Sequence, residues 1–267
     1  MKRNIKFILA AIFISASMSL FAADQKKLEI GVVENLGAYI PLSTELIDEN
    51  GNKFLLRDNF DKPIVMNFVY YECPGICSPL LTELSSVLSK ADLAAGIDYR
   101  VLTISIDATE GSNLASSKKT NYLNMMKKKI DPASWRFLTG DSASVKKLAD
   151  AVGFFYKKEG DEFIHSAALM FISADGKICR YLYPDYSRRE EFSILPFDFK
   201  MAVLEASENK PTPTIARVIK FCFKYDPEGK TYVFNLLKIF GGGVLLLTVI
   251  LVVYLSVKPR KVKEENR

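Results

Sequence analysis

The stretch Tyr70-Tyr71-Glu72-Cys73-Pro74-Gly75-Ile76-Cys77-Ser78-Pro79 places two cysteines four residues apart, between a strand-like run and a helix-like run. Residues 63–70 are almost continuously apolar, which is typical of a strand buried on both faces. After the cysteines, apolar residues recur at helical spacing, with Ser78 as the expected N-cap and Pro79 at the first helical position. Cys77 is therefore expected beside a helix N-terminus, where the macrodipole lowers the pKa of a thiol.

The pattern on either side of these cysteines predicts a central sheet. A β-rich run at 99–106 completes a β-α-β unit, and the pairs Asn50-Gly51 and Asp175-Gly176 predict two hairpins. Strands alternate with helices and end in an antiparallel pair, so the expected fold class is α/β, a thioredoxin-like mixed sheet with helices on both faces. The other predicted elements are helices at 79–90 and 113–129, a strand at 135–138, a helix capped by Asp141 or Ser142, strands at 163–173 and 177–183, and a helix at about 197–207.

Positive charge is concentrated at the two ends of the chain. The 267 residues carry a formal net charge of +5. Lys2, Arg3 and Lys6 contribute +3 and the tail after Val257 contributes another +3, so the body between them carries −1 and has no basic excess. We therefore expect no nucleic-acid partner.

The N-terminus has the three regions of a secretory signal. Basic residues precede an apolar run at 7–21, and Ala22-Ala23 supply small residues at its end. These features assign residues 1–23 to a signal peptide. An uncleaved N-terminal membrane anchor is the alternative, because Leu20 stands where a cleavage site has a small residue.

A second apolar segment lies near the C-terminus. Residues 239–257 carry no charge and, as a helix, would cross a hydrocarbon core of about 30 Å. The basic residues that follow place the tail in the cytoplasm by the positive-inside rule. The domain plan is a signal peptide at 1–23, a thioredoxin-like body at 24–208, a linker and juxtamembrane segment at 209–235, a transmembrane helix at 236–257 and a basic cytoplasmic tail at 258–267.

This topology determines the expected compartment. The chain is predicted to sit in the inner (cytoplasmic) membrane, crossing it once after signal cleavage, with its functional body in the periplasm or an equivalent space. Disulfides form and persist in such a compartment. The four cysteines of the chain are therefore expected to be capable of redox chemistry.

Cys73, Cys77 and His165 form the candidate site. The loop with both cysteines follows a predicted parallel strand, at the edge where open α/β sheets place their sites, and Pro74-Gly75 allows it to bend. His165, the only histidine of the chain, precedes another predicted central strand. Two thiolates and one imidazole form a soft ligand set that suits copper. The alternatives are a structural disulfide or unrelated core cysteines, and a hydrogen-bonded loop histidine.

Four motifs in the chain together resemble the Sco/SenC family over roughly residues 40–205. They are Cys73-Pro-Gly-Ile-Cys77 after a Phe-containing strand, Ser105-Ile-Asp107 at the end of the next strand, Trp135-Arg-Phe-Leu-Thr-Gly140, and His165-Ser before a strand and its Asp-Gly hairpin. The resemblance implies a membrane-tethered thioredoxin-like domain that handles copper for the binuclear copper site of a haem-copper oxidase. It also implies that Cys73, Cys77 and His165 are the metal ligands.

Three further features are interpreted through this resemblance. Asp107 matches an acidic position near the family's site and is expected to orient the site or balance its charge, with a simple turn aspartate as the alternative. The chain departs from the family at Gly75, where an acidic residue is usual, and at Ser78, where a proline is usual. Its C-terminal membrane helix also differs from the commoner N-terminal anchor.

The expected function is that of a copper metallochaperone with thiol redox activity, in which Cys73 and Cys77 form the redox pair. Its expected partners are the copper-site subunit of the oxidase and either another copper chaperone or a thioredoxin-like reductase. The alternative is a thiol-disulfide oxidoreductase that reduces cysteines of an oxidase subunit or another exported protein, with no essential copper role. Cys179 is interpreted as a buried structural thiol. For Cys222 the sequence leaves three alternatives, namely packing, a disulfide with Cys179, or a partner contact.

Overall fold

The computed structural model describes residues 30–188, 191–213, 223–226 and 231–234, together with 247, 248 and 250. The predicted signal peptide, Cys222, nearly all of the predicted membrane helix and the basic tail lie outside these residues. Among the residues described, no helix is both long enough and apolar enough to cross a bilayer. The predictions for the two ends of the chain therefore stay predictions.

The described chain alternates between strands and helices. The helices are α1 (Cys77–Lys90), α2 (Ser112–Met125), α3 (Ser142–Ala151) and α4 (Pro196–Ser207), with short 3-10 turns at Leu56–Asn59 and Pro132–Ser134. The strands are β1 (Gly31–Val32), β2 (Glu45–Ile47), β3 (Lys53–Leu55), β4 (Ile64–Val69), β5 (Arg100–Ser105), β6 (Trp135–Leu138), β7 (Phe154–Phe155), β8 (Lys157–Glu159), β9 (Glu162–Ile164), β10 (Leu169–Ile172), β11 (Ile178–Leu182), β12 (Asp185–Arg188), β13 (Glu191–Ser193), β14 (Phe223–Asp226) and β15 (Thr231–Phe234).

A mixed five-stranded sheet forms the centre of the domain, in the order β11-β10-β4-β5-β6. Strands β4, β5 and β6 are parallel, and β10 is antiparallel to both β4 and β11. Every residue of β4 is buried, as its apolar run predicts for a strand covered on both faces. The predicted thioredoxin-like α/β fold is confirmed.

Helices cover both faces of this sheet. Val65 and Phe68 of β4 point to opposite faces, because side chains alternate along a strand. Phe171, which is paired with Val65, packs its ring against Phe199 of α4, so α4 covers the first face. On the other face Phe68 stacks on Phe154 of β7, the strand that comes next after α3. Both faces of β4 are therefore excluded from water.

Helix α1 begins two residues earlier than the sequence predicts. Its N-cap is Ile76, which already has helical φ and ψ angles (−76°, −18°), and the carbonyl of Ile76 accepts the amide of Leu80 at 3.1 Å. Ser78 is therefore not the N-cap, and Cys77 is the first residue of the helix itself. The loop adopts helical geometry before the serine, and no side chain caps this end of the helix.

Apolar contacts hold α1, and with it Cys77, against the sheet. Leu80, Leu84 and Leu88 lie on one face of the helix and are at most 1% exposed. Burial of each such side chain contributes roughly 1.5–3 kcal/mol to stability. This packing makes the helix N-terminus a rigid support for the second cysteine.

Two other predicted elements have different boundaries in the structure. Helix α2 ends at Met125 rather than near 129, because Lys129 folds back and donates to the carbonyls of Leu123 and Asn124, both at 3.2 Å. The predicted strand 163–173 is two strands. Its first part, β9, forms a separate hairpin with β8, and its second part, β10, joins the central sheet.

The segment after α4 stays close to the body. Asn209 has a positive φ of 57° at the end of the helix, and its side-chain amide donates to Asp175 at 2.9 Å. The amide of Thr212 then donates to the carbonyl of Cys179 at 2.8 Å, on the edge strand β11. The first residues of the predicted linker 209–235 therefore bind to the sheet edge.

Candidate metal centre

The first cysteine lies in a loop at the carboxyl end of β4. Cys73 is half-buried, and its backbone amide donates to the carbonyl of Tyr70 at 3.3 Å. The amide of Gly75 points at the sulfur of Cys73, at 3.3 Å. This position is the edge of a parallel sheet where α/β folds place their sites, as the sequence predicts.

The second cysteine is fixed by the start of α1. Cys77 is only 2% exposed and is a free thiol in this structure, as is Cys73. Its sulfur lies 3.2 Å from Nε2 of His165. The loop and the helix start therefore direct both sulfurs towards the same small volume.

The histidine comes from the chain between β9 and β10. Nδ1 of His165 lies 2.9 Å from the carbonyl oxygen of Ser166, which can only accept, so Nδ1 carries a proton. Nε2 then faces the sulfurs, where it donates to a thiolate when protonated and can bind a metal when it is not. The imidazole packs edge-on against Tyr70, with ring centroids 5.8 Å apart, and this contact fixes its orientation.

The break between β9 and β10 is what allows this placement. Strand β9 pairs with β8 and β10 pairs with β4, so the chain changes direction at residues 165–168. His165 lies in this turn and is 8% exposed. A continuous strand would have kept His165 within the hydrogen-bonded strand pairing. The break between β9 and β10 instead directs its side chain to the cysteines.

The three predicted ligands come together in the structure. One sulfur each from Cys73 and Cys77 and one ring nitrogen of His165 lie within 4.8 Å of one another. Such a set can close on a single metal ion after small side-chain rotations. Thiolate sulfur and imidazole nitrogen favour soft or borderline metals such as copper over magnesium or calcium, so the predicted copper ion fits this ligand set.

The two thiols have opposite acidities. A hydrogen bond from Cys77, together with bonds from His165 and the Gly75 amide, outweighs burial and lowers the pKa of Cys73 to about 3. The pKa of Cys77 is raised well above its usual value, first by its hydrogen bond to Cys73 and then by burial. The expectation that the helix N-terminus would lower the pKa of Cys77 is wrong, because Cys77 is buried and keeps the shared proton.

Tyr70 closes one side of the site. It is 6% exposed, and its ring lies between Phe163, at 5.4 Å, and the imidazole of His165. Burial, and then a hydrogen bond to Cys73, raise the pKa of the Tyr70 hydroxyl to about 12. Tyr70 therefore stays a neutral donor beside the Cys73 sulfur.

Two acidic residues follow β5 near the cysteine loop. Asp107 uses its carboxylate within its own turn, where Oδ1 accepts from the amide of Thr109 at 2.9 Å and from its hydroxyl at 2.7 Å. The carboxylate that contacts the cysteine loop belongs to Glu110, which is buried and binds the amides of Tyr71 and Glu72, both at 2.8 Å. Sequence reasoning missed Glu110. The signal available was an acidic residue just after a parallel strand, on the same sheet edge as the cysteines.

A family comparison agrees with this geometry. The profile of the SCO1/SenC family matches residues 38–195, more than half of the chain. The chain belongs to the SCO1/SenC family. The resemblance noted in the sequence is thereby confirmed, and the cysteine loop and His165 both fall inside the matched region.

Individual relatives are distant but span the same body. A SCO2-like protein of Rickettsia conorii is 29% identical over 164 residues, covering 57% of this chain and 73% of the relative. A solved structure from Aquifex aeolicus VF5 is 26% identical with a TM-score of 0.57, covering 65% of this chain and 95% of that one. BsSco, described as a member of the Sco family of cytochrome c oxidase assembly proteins, is 19% identical with a TM-score of 0.51, covering 66% and 98%. At that identity BsSco supports the fold alone.

Proposed function

We propose that the chain is a copper metallochaperone with thiol redox activity, which delivers copper to, or prepares, the binuclear copper site of a haem-copper oxidase. The observation that carries the proposal is the meeting of Cys73, Cys77 and His165 within 4.8 Å at one edge of the sheet. Their roles as copper ligands follow from ligand chemistry and from the family resemblance. The oxidase as target is supported by membership in the SCO1/SenC family and by the motifs that carry the family resemblance.

The acidities of the two thiols suit reversible binding. Cys73 is a thiolate at neutral pH and offers one anionic sulfur to a cation at once. Cys77 holds its proton in the metal-free protein, so copper must displace that proton to gain the second sulfur. Because copper binding displaces the proton of Cys77, part of the binding free energy is lost. The copper can therefore pass to a site with a stronger ligand set.

Solvent access gives the transfer a direction. Cys73 is half-buried, whereas Cys77 and His165 are at least nine-tenths buried. An incoming thiol or imidazole of a partner therefore reaches the copper from the Cys73 side. In this scheme Cys73 is the first ligand to exchange, while Cys77 and His165 hold the ion.

The functional test is a copper competition followed by transfer. The purified chain in detergent is loaded with Cu(I), titrated with a chromogenic Cu(I) chelator, and then mixed with a soluble domain that has an empty binuclear copper site. We expect one copper per chain and its appearance in the acceptor. Absence of stoichiometric copper on the reduced wild type would reject the metallochaperone function.

The proposal includes a membrane tether, which rests on sequence. The apolar segment 239–257 and the basic residues after it support a single C-terminal helix with the body outside the cytoplasm. A reporter that works only after export is expected to be active when fused after Asn209 and inactive when fused after Arg267. The reverse pattern would place the cysteines in the cytoplasm and reject the compartment.

A second function, thiol-disulfide oxidoreductase, is favoured by one observation. The lowered pKa of Cys73 and the raised pKa of Cys77 are those of an attacking and a resolving thiol. The Cys73 thiolate would attack a substrate disulfide and release one substrate thiolate. Cys77 would then break the mixed disulfide, leaving a reduced substrate and a Cys73-Cys77 disulfide for a thioredoxin-like reductase. Such chemistry does not use His165 as a ligand, and this separates the two functions.

A further inference from the structure

The carboxylate of Glu110 joins the cysteine loop to the end of the neighbouring strand. Its Oε2 accepts the amide of Tyr71 at 2.8 Å and the hydroxyl of Ser105 at 2.5 Å. Its Oε1 accepts the amide of Glu72 at 2.8 Å. Glu110 is only 8% exposed, so these bonds form with little competition from water. Three donors thus converge on one buried carboxylate directly before Cys73.

We propose that Glu110 is a positioning residue of the copper site, which fixes the two peptide groups before Cys73 so that this sulfur stays within reach of Cys77 and His165. The inference rests on the copper function proposed above and deepens it, since it names the group that organises the exposed half of the ligand set. Glu110 itself contacts neither sulfur in this scheme; it acts through the backbone of residues 71 and 72.

We call the hydrogen bonds from the amides of Tyr71 and Glu72 to Glu110 the Glu110 clamp. The loop needs this clamp because its Cys77 end is fixed more firmly than its Cys73 end. Cys77 belongs to α1, whose apolar face is packed on the sheet. Cys73 belongs to the loop, where Pro74 and Gly75 are exposed and the Cys73 amide makes only a long bond of 3.3 Å to Tyr70. The bonds from Glu110 are the short contacts on the Cys73 side. Without them the distance between the two sulfurs would vary more.

A second anchor limits the expected effect. The hydroxyl of Tyr71 lies 2.8 Å from the carbonyl oxygen of Leu138 and 3.2 Å from that of Thr103, so the Tyr71 side chain stays pinned between two strands. Loss of the Glu110 clamp therefore releases the backbone at residues 71 and 72 without unfolding the loop. We expect the change in copper affinity to fall in the range of about 10- to 100-fold that partners of metal ligands show.

The arrangement requires a carboxylate rather than an amide. Both oxygens of Glu110 act as acceptors, and each faces at least one donor. In Glu110→Gln one of these oxygens becomes an NH2 group. In either orientation of the side-chain amide, this NH2 group faces a backbone N–H of residue 71 or 72, and two donors cannot bond to each other. One backbone amide of the loop is then left without its partner. The side chain keeps its size, so the substitution tests the hydrogen bonds and the charge.

The test compares Glu110→Gln with Asp48→Asn in the full chain in detergent. Asp48 is a matched control, because it is also buried and its Oδ1 accepts two turn amides, those of Asn50 and Asn52, at 2.9 and 2.8 Å. Copper affinity is measured by Cu(I) competition, amide exchange at residues 71 and 72 by mass spectrometry, and the alkylation rate of Cys73 on the metal-free protein. Ser105→Ala serves as a milder second variant, because it removes one of the three donors to Glu110, together with the acceptor of the Asp107 amide.

We expect Glu110→Gln to bind copper about 10- to 100-fold more weakly, with faster amide exchange at 71 and 72 and an altered Cys73 alkylation rate. Ser105→Ala should show a smaller loss, and Asp48→Asn should bind copper as the wild type does. Copper affinity that is unchanged in Glu110→Gln, or lowered equally in Asp48→Asn, would overturn the inference. If the wild type binds no copper, the proposed function fails. The positioning role of Glu110 is then tested by the alkylation rate of Cys73 alone. Glu110→Gln must change this rate and Asp48→Asn must leave it unchanged.

Discussion

The cysteine loop and the edge strand β11 each present a free thiol, in opposite surroundings. Cys73 accepts hydrogen bonds from Cys77, His165 and the amide of Gly75, and its pKa falls to about 3. Cys179 is fully buried, donates to the carbonyl of Lys177 at 3.4 Å, and has a pKa that burial raises. Hydrogen-bond donors and solvent access, rather than residue type, therefore decide which of these two cysteines is reactive.

The largest contrast is expected when each thiol is replaced by a hydroxyl. Cys73→Ser removes a soft ligand and should reduce Cu(I) affinity by more than the roughly 100-fold seen for changes outside the ligand shell. Cys179→Ser, at a buried site away from the three ligands, should leave copper affinity at the wild-type value. Competition against a Cu(I) chelator measures both. Equal losses of copper affinity in the two variants would show that the cysteine loop has no special role in copper binding.

The next contrast separates copper binding from thiol chemistry at the same loop. His165→Ala leaves two sulfurs and removes the imidazole, so copper affinity should fall by about 10- to 100-fold or more. The Cys73-Cys77 pair keeps its loop and helix and should still form and break its disulfide. The measurement pairs copper competition with reduction of a model disulfide. Unchanged copper binding in this variant would show that His165 is not a ligand.

The two cysteines Cys73 and Cys179 should also differ in how their alkylation rates depend on pH. Because the pKa of Cys73 is lowered to about 3, its thiolate persists from pH 8 to pH 5, and its alkylation rate should change less than about threefold. In the denatured chain Cys179 has an ordinary thiol. Its alkylation rate should fall about tenfold for each pH unit below its pKa. Alkylation of the reduced metal-free protein, folded for Cys73 and denatured for Cys179, is followed by mass spectrometry at each cysteine and provides both profiles. A tenfold loss per unit at Cys73 would contradict its assigned acidity.

The smallest effect is expected at Gly75, where the family usually has an acidic residue. A Cβ at this position meets the Cys73 sulfur at 3.9 Å, an ordinary contact, and Gly75 is exposed. Gly75→Asp should therefore fold normally and keep copper affinity within about threefold. Its negative charge should raise the pKa of Cys73 relative to Gly75→Ala, which serves as the control. A large loss of copper in Gly75→Ala would show that the glycine is required by the backbone.

Patterns within single elements were readable from the sequence. The continuous apolar run of β4, the turns at Gly51 and Gly176 and the cap at Asp141 each follow from local chemistry, and each is present. The three clustered side chains were also anticipated, because the cysteine loop leaves the carboxyl end of β4 and His165 precedes β10. The start of β10 lies at the same edge of the sheet, since β10 is antiparallel to β4.

Features that depend on distant partners were not readable. The run 163–173 looks like one strand, and only its pairing, with β8 first and β4 afterwards, reveals the break at His165. The order of the two thiol pKa values depends first on the hydrogen bond between Cys77 and Cys73 and then on burial of Cys77, and local helix geometry supplies neither. Glu110 was missed because its contacts cross from one loop to another.

The most direct measurement of the central claim is X-ray absorption at the copper edge on the loaded chain and on His165→Ala. Two sulfurs and one imidazole nitrogen around Cu(I) are expected in the wild type, since these three atoms already lie within 4.8 Å of one another. In His165→Ala the imidazole signal should vanish while both sulfurs remain. A wild-type spectrum without two sulfur neighbours, or an imidazole signal that survives in His165→Ala, would contradict the proposed ligand set.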